Sequence, residues 1–183
     1  NIRHRTSAGG CRPCRETVKV SGAEERVIPI EGDLRTMEAL PLASLDLITC
    51  NPPFQSQDTG LLSKDPGRRI ARHELTCTLE DVCAAGRRLL KFGGRLCVCQ
   101  RPERLADAVC AMRAYGIEPK RLRFAAKNPS SRPWLFLLEG KLGAKPFMQT
   151  EPLLSAMNRD GSFTEEMLNI YGNLPEGKNS PIL

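Results

Sequence analysis

The stretch that decides the fold is Leu45-Asp46-Leu47-Ile48-Thr49-Cys50-Asn51-Pro52-Pro53-Phe54. Its first six residues are an almost continuous apolar run with one acid inside it, a pattern that suits a strand buried on both faces. Two prolines stop it. Pro52 and Pro53 remove two backbone donors and fix two φ angles, and Pro52 pushes Asn51 toward extended geometry. The strand therefore ends in a stiff turn that displays an amide and, at Phe54, a ring. In open α/β sheets the carboxyl end of a strand is where ligands bind.

Before this stretch the chain predicts little regular structure. Residues 1–15 are polar and aperiodic and read as a loop or frayed end. Arg15 to Val20 reads as the last turns of a helix stopped by Ser21-Gly22, and Val27 to Glu31 as a short strand in which Pro29 marks an edge or an irregular rung. Gly32-Asp33-Leu34 turns out of it. After Phe54, residues 55–76 form a long polar stretch of the kind that is functional or disordered in compact domains.

Thr78 is a good N-cap for a helix from Leu79 to Lys91. Glu80 and Asp81 fall in its first turn, Arg87, Arg88 and Lys91 in its last, and Gly93-Gly94 beyond it. Arg95 to Gln100 is the next strand. A helix from Pro102 to about Tyr115 follows, with Leu105, Val109 and Met112 as a core stripe and Gly116 as its stop. Lys120 to Ala126 and Trp134 to Leu142 are strands joined by seven polar residues, a connection that allows an antiparallel pair. The expected fold is α/β: half of a doubly wound, Rossmann-like sheet ending in an antiparallel hairpin. Residues 16–143 make the domain and residues 144–183 an extension or tail, in which Glu165 to Tyr171 form one or two helical turns.

The 183 residues carry 27 Lys and Arg against 21 Asp and Glu, a net charge of +6 that favours a polyanionic partner. No apolar run approaches the roughly 20 residues needed to cross a bilayer, so no membrane span is expected. The eight cysteines mostly sit within apolar strand or helix patterns, where Cys acts as a small hydrophobe. They read as reduced thiols in a cytoplasmic protein. Cys11-Arg12-Pro13-Cys14 has zinc-like spacing but no second ligand pair nearby, so no metal is expected.

Asn51-Pro52-Pro53-Phe54 resembles the [Asn/Asp/Ser]-Pro-Pro-[Tyr/Phe/Trp] signature of class I S-adenosylmethionine-dependent methyltransferases. Together with Glu31-Gly32-Asp33-Leu34, Ala71-Arg72-His73-Glu74, the Gly93-Gly94 strand and the 128–142 hairpin, it resembles the bacterial adenine N6-methyltransferases that act on a valine tRNA anticodon loop. The likeness runs from about residue 16 to residue 172. It implies S-adenosyl-L-methionine as cofactor and RNA, in particular tRNA, as partner. By the same resemblance Asn51, Pro52 and Phe54 are catalytic, and Asp33, Leu34 and Asn51 contact the donor. Pro53, Arg69, Arg72, His73, Lys127, Asn128 and Arg132 contact the substrate, with Arg68 in the same basic loop.

The chemistry accounts for these residue types. An exocyclic adenine nitrogen is a poor nucleophile because its lone pair is delocalised into the ring. Acceptors that hold its N–H groups, the Asn51 oxygen and the Pro52 carbonyl, favour a more tetrahedral nitrogen. Fixed dipoles of this kind are worth about 3 kcal/mol each in oxyanion holes. A ring at Phe54 stacks on an extruded base, which contributes about 1–3 kcal/mol.

Other readings stay open. Asp33 after Gly32 also fits an Asx turn, and a basic loop is commonly only solvated. The signature also serves methylation of rRNA, DNA or protein glutamine. A Gly-x-Gly-x-Gly turn after a first strand, which the resemblance requires for the donor, does not occur, since the early glycines are only Gly9-Gly10. The expectation is a chain whose donor-binding first third is missing, and the alternative is a non-catalytic RNA-binding remnant.

Overall fold

Residues 2–5, 11–52 and 77–171 are described by the structure, a computed structural model. In chain order the elements are β1 (Ile2–Arg5), α1 (Cys11–Val20), β2 (Ile28–Glu31), β3 (Leu45–Cys50), α2 (Leu79–Leu89) and β4 (Leu90–Gln100). A 3-10 turn at Pro102–Arg104 leads into α3 (Leu105–Ala114). Then come β5 (Ile117–Ala126), β6 (Leu135–Leu142), β7 (Gln149–Thr150), β8 (Leu154–Ser155) and α4 (Glu165–Tyr171).

The strands form two sheets. A parallel pair, β1 with β2, stands as a sheet of its own. The main sheet has the order β3-β4-β6-β5-β7, with β8 also on β5. β3 and β4 are parallel, while β6 runs antiparallel to both β4 and β5. The expected hairpin is therefore present, and it closes an otherwise parallel α/β arrangement.

Helices α2 and α3 cover one face of the main sheet. Val82 and Cys83 of α2 and Ala108, Ala111 and Met112 of α3 pack with Leu96, Val98, Phe136, Leu138 and Leu142 in one buried cluster. Full burial of such side chains is worth about 1.5–3 kcal/mol each, so this layer anchors β4 and β6. α2 begins with a capping box: the Asp81 N–H donates to Thr78 Oγ1 at 3.1 Å and the Thr78 N–H to Asp81 Oδ2 at 2.9 Å.

The opposite face lies away from α2 and α3, and at its β5 side Arg123 pairs with Glu166 of α4. Thr49, Cys97, Glu139 and Arg121 stand in one row across it, joined by strand register. This corrects the reading of Leu45–Cys50 as buried on both faces: Asp46, Leu47 and Thr49 are exposed, and Leu47 retains 45% of its surface. An apolar run signals a strand, but its composition does not fix how many faces are covered. Among the described residues β3 pairs on one side only, with β4.

Three further expectations shift. Residues 1–15 contain β1 and the start of α1. Pro13 is tolerated there because first-turn N–H groups lack intrahelical acceptors. The α1 stop is as expected: Gly22 takes φ +59°, and the Ala23 N–H donates to Val18 O and the Gly22 N–H to Lys19 O. α2 ends at Leu89, and β4 starts at Leu90, ahead of Gly93-Gly94. The glycines lie inside β4, where a Cβ on Gly94 would come within 2.9 Å of Lys91 O and 3.1 Å of Leu45 O. Between Gly143 and Tyr171 the chain adds β7 and β8 to β5, and α4 is held by Arg123 to Glu166.

The closest backbone approach in the core is at Gly140 of β6. A Cβ there would lie 2.7 Å from Ile117 Cγ2 and 2.8 Å from Met112 Sδ. Gly140→Ala should therefore overpack the α3 to sheet layer and destabilise the fold by about 1–3 kcal/mol, read as a lower denaturation midpoint in urea with an unchanged slope.

Candidate functional site

β3, β4 and β5 all point the same way, so Cys50, Gln100 and Ala126 end at one rim of the sheet. Asn51-Pro52 leaves β3 at this rim, and the loop at residues 127–134 joining β5 to β6 sits at the same end. Thr49 and Cys50 are fixed against Cys97 and Val98, which places Asn51 one step beyond the paired strand. Asn51 is exposed and Pro52 is buried. An amide is thus presented to solvent from a proline seated in the fold. Gln100, the buried polar residue among those described, ends the neighbouring strand, and its Oε1 accepts the Arg101 N–H at 2.9 Å.

Asn51, Cys50 and Thr49 also border an open groove of about 520 Å³ that runs over the sheet face opposite α2 and α3. Cys97, Cys99 and Leu137 form its floor, and Arg121, Glu139 and Glu151 its polar wall. Those charges serve one another. Arg121 donates to Glu151 through Nε at 2.6 Å and lies 3.7 Å from Glu139, which Arg95 also approaches at 3.5 Å. The hydrogen bond to Glu151 is the main cause that raises the Arg121 pKa. The groove wall is an internal ion-pair ladder.

The Asp33 turn follows β2. Asp33 Oδ1 accepts the Arg35 N–H at 2.9 Å, which is an Asx turn, and the Arg35 side chain returns to the same carboxylate with Nε at 3.0 Å. This pairing raises the Arg35 pKa, the hydrogen bond to Asp33 first among its causes. Both groups of the pair are partly solvent-exposed. Leu34, like Cys50 at the end of β3, packs against the same buried core.

In the 127–134 loop Lys127 and Arg132 are exposed, whereas Asn128 is half-buried and holds the turn: its Oδ1 accepts the Ser130 N–H at 3.0 Å and the Ser131 Oγ–H at 2.9 Å. Pro53, Phe54, Arg68, Arg69, Arg72 and His73 lie outside the described residues. Of the residues singled out in sequence, the structure brings Asn51, Pro52, Lys127, Asn128 and Arg132 to one sheet rim and links the Asp33-Leu34 turn to it through the core.

Sequence reasoning missed Arg35 and Arg88. Arg88 reads as a charge complementing the end of α2, but its Nη1 donates to Arg35 O at 3.1 Å and its Nη2 to Leu34 O at 3.2 Å. Only its long reach, which sequence spacing does not report, could have revealed this. Trp134, 37% exposed at the start of β6, is an aromatic at the same rim that was read only as a strand residue.

The fold is the Rossmann-like α/β fold of methyltransferases. It superimposes on a predicted O-methyltransferase from Agrobacterium tumefaciens with a TM-score of 0.71 at 15% identity, covering 92% of this chain and 75% of that one. A SAM-dependent methyltransferase from Aquifex aeolicus follows with a TM-score of 0.53 at 14% identity, covering 77% and 68%. In sequence the chain is similar to the tRNA1(Val) (adenine(37)-N6)-methyltransferase of Aeromonas hydrophila, 34% identical over 107 residues, 58% of this chain and 43% of that protein. The enzyme of the same name from Porphyromonas gingivalis is 28% identical over 144 residues, 74% and 56%. The chain thus spans about half the length of the curated relatives it matches. No family model matches.

The thiols near the site are held protonated. Burial is the main cause that pushes Cys77 up to about 11, with Cys50, Asp81 and Asp33 adding to it. Burial likewise pushes Cys83 up to about 12. Among the described residues no three His, Cys, Asp or Glu side chains form a metal-ligand group. Above the ordinary thiol value of 9.0 the unfolded chain loses protons that folded Cys77 and Cys83 keep. The unfolded state then binds fewer protons, so stability falls as pH rises from 9 toward 11. Urea denaturation at pH 8 and pH 10 should show this loss, and Cys83→Ala should reduce the difference between the two.

Proposed function

We propose that this chain carries the acceptor side, and part of the donor side, of an S-adenosylmethionine-dependent enzyme that methylates N6 of an adenine in RNA. A tRNA anticodon-loop adenine is the preferred substrate. The observation that carries this reading is the Asn51-Pro52 turn at the carboxyl rim of β3, exposed at Asn51 and anchored at Pro52. The names of the sequence relatives, the neighbouring methyltransferase folds and the net charge of +6 support it.

In this mechanism the Asn51 side-chain oxygen and the Pro52 carbonyl accept the two N–H groups of the adenine amine. The nitrogen lone pair is drawn out of conjugation and attacks the donor methyl carbon. The carbon–sulfur bond breaks as the carbon–nitrogen bond forms, and the amine proton is released to solvent. Asn51 meets the positive charge that grows on nitrogen, a fixed-dipole effect that needs no reorganisation. Asp33 accepts from the amino group of the donor's adenine, exchanging Arg35 for it, with Leu34 alongside. Phe54 and Pro53 hold the extruded base, and Arg68, Arg69, Arg72, His73, Lys127, Asn128 and Arg132 hold the RNA. The protein acts in the cytoplasm, where tRNA is found.

A second reading, a non-catalytic RNA-binding piece, is favoured by the half-length span relative to the matched enzymes. Calorimetric titration with S-adenosylmethionine separates the two: binding rejects the second reading, and absence of heat rejects independent catalysis by this chain. In a catalytically competent form, Asn51→Ala should lower turnover by about 100-fold or more while leaving donor affinity nearly unchanged, measured by release of N6-methyladenosine from digested RNA. Unchanged turnover would remove Asn51 from the mechanism.

A further inference from the structure

We infer that Arg88 is a positioning residue that holds the Asp33–Arg35 turn in the shape that accepts a donor's adenosyl group. The inference rests on the proposed donor role of that turn.

Arg88 lies in the last turn of α2, and its guanidinium spans to two consecutive carbonyls, Leu34 O at 3.2 Å and Arg35 O at 3.1 Å. A planar fork matches such a pair, and a lysine ammonium on a flexible stem does not. The same residue fixes the far side of the segment with its backbone: Arg88 O accepts the Ala43 N–H at 3.0 Å, and Leu89 O accepts the Ser44 N–H at 2.9 Å. Residues 34–44 are therefore a loop closed at both ends on the last turn of one helix. β3 begins one residue after this closure.

The arrangement is not explained by helix-end electrostatics. Arg87, one residue earlier, is exposed and complements the α2 carboxyl end at no burial cost. Arg88 is half-buried, and its Nε meets no acceptor. Burying a guanidinium with one N–H unmet is unfavourable, so the stability of the helix end does not account for the place of Arg88. What it contributes is the conformation of a turn. With both carbonyls tied to α2, the Asx turn of Asp33 is held, and the Asp33 carboxylate meets Arg35 on a partly exposed side. That carboxylate is the group an amino donor of a ligand exchanges for Arg35.

The test uses hydrogen exchange and ligand binding on the full chain, with Arg88→Lys, Arg88→Met and, as control, Arg87→Met. The Arg35 and Thr36 amides report on the turn, since they donate to Asp33 Oδ1 and Asp33 O. Arg88→Met and Arg88→Lys should both speed their exchange by about tenfold, equivalent to about 1.4 kcal/mol of local opening. Exchange in β4 and β6 should stay as it is, and Arg87→Met should change nothing. Affinity for S-adenosylhomocysteine should fall by a similar factor in both Arg88 variants. If Arg88→Met fails to fold, Arg88→Lys carries the comparison.

Unchanged exchange at Arg35 and Thr36, undiminished S-adenosylhomocysteine affinity in Arg88→Lys, or an equal effect of Arg87→Met overturns the inference. Absence of S-adenosylhomocysteine binding by the unaltered chain instead overturns the proposed donor role, while the exchange data still decide whether Arg88 holds the turn.

Discussion

The parallel pairing of β3 with β4 is the constraint on which the site depends. Thr49 against Cys97 and Cys50 against Val98 are the last rungs before Asn51, and the two prolines that follow have no N–H with which to extend the ladder. The position of Asn51 is thus set by β4. β4 in turn is held by β6 on its far side and by α2 and α3 beneath it, so the burial of Leu96, Val98, Phe136 and Met112 fixes the strand end from which Asn51 projects. A rigid amide at a strand's carboxyl end can stabilise developing charge without first being ordered.

The sequence revealed the parts whose signals are local. Pro52 and Pro53 announced the strand end, Thr78 with Asp81 the capped start of α2, Gly22 the stop of α1, and the seven polar residues before Trp134 the hairpin. The parts that were hidden are set by distant partners. β1, Ile2-Arg3-His4-Arg5, has one apolar residue and exists by pairing with β2. The start of α1 was obscured by Pro13. The open face of β3 followed from which elements cover the sheet, a matter composition does not encode. Arg88 was obscured because residues 53 and 54 positions away supply its partners.

The sheet-face groove and the strand rim meet at Asn51, and the physical chemistry of the two differs. The groove over the sheet face is floored by protonated thiols and Leu137, and its charged wall is an ion-pair ladder of Arg95, Glu139, Arg121 and Glu151 already engaged with one another. A charged ligand entering there must break existing pairs. At the strand rim Asn51 is exposed, and in the turn after β2 the Asp33–Arg35 pair is partly exposed. The rim is also where parallel strands converge, which is where α/β sheets bind ligands. The chain spans about half the length of the relatives named as methyltransferases.

The most direct measurement is the map of backbone amide chemical shifts on adding S-adenosylhomocysteine to the isotope-labelled chain. The account predicts shifts concentrated at residues 31–36, at Cys50 and Asn51, and at Cys77 and Thr78, with Cys97, Glu139 and Arg121 unmoved. Shifts confined to the sheet-face groove, or none at the Asp33 turn at saturating ligand, would contradict it.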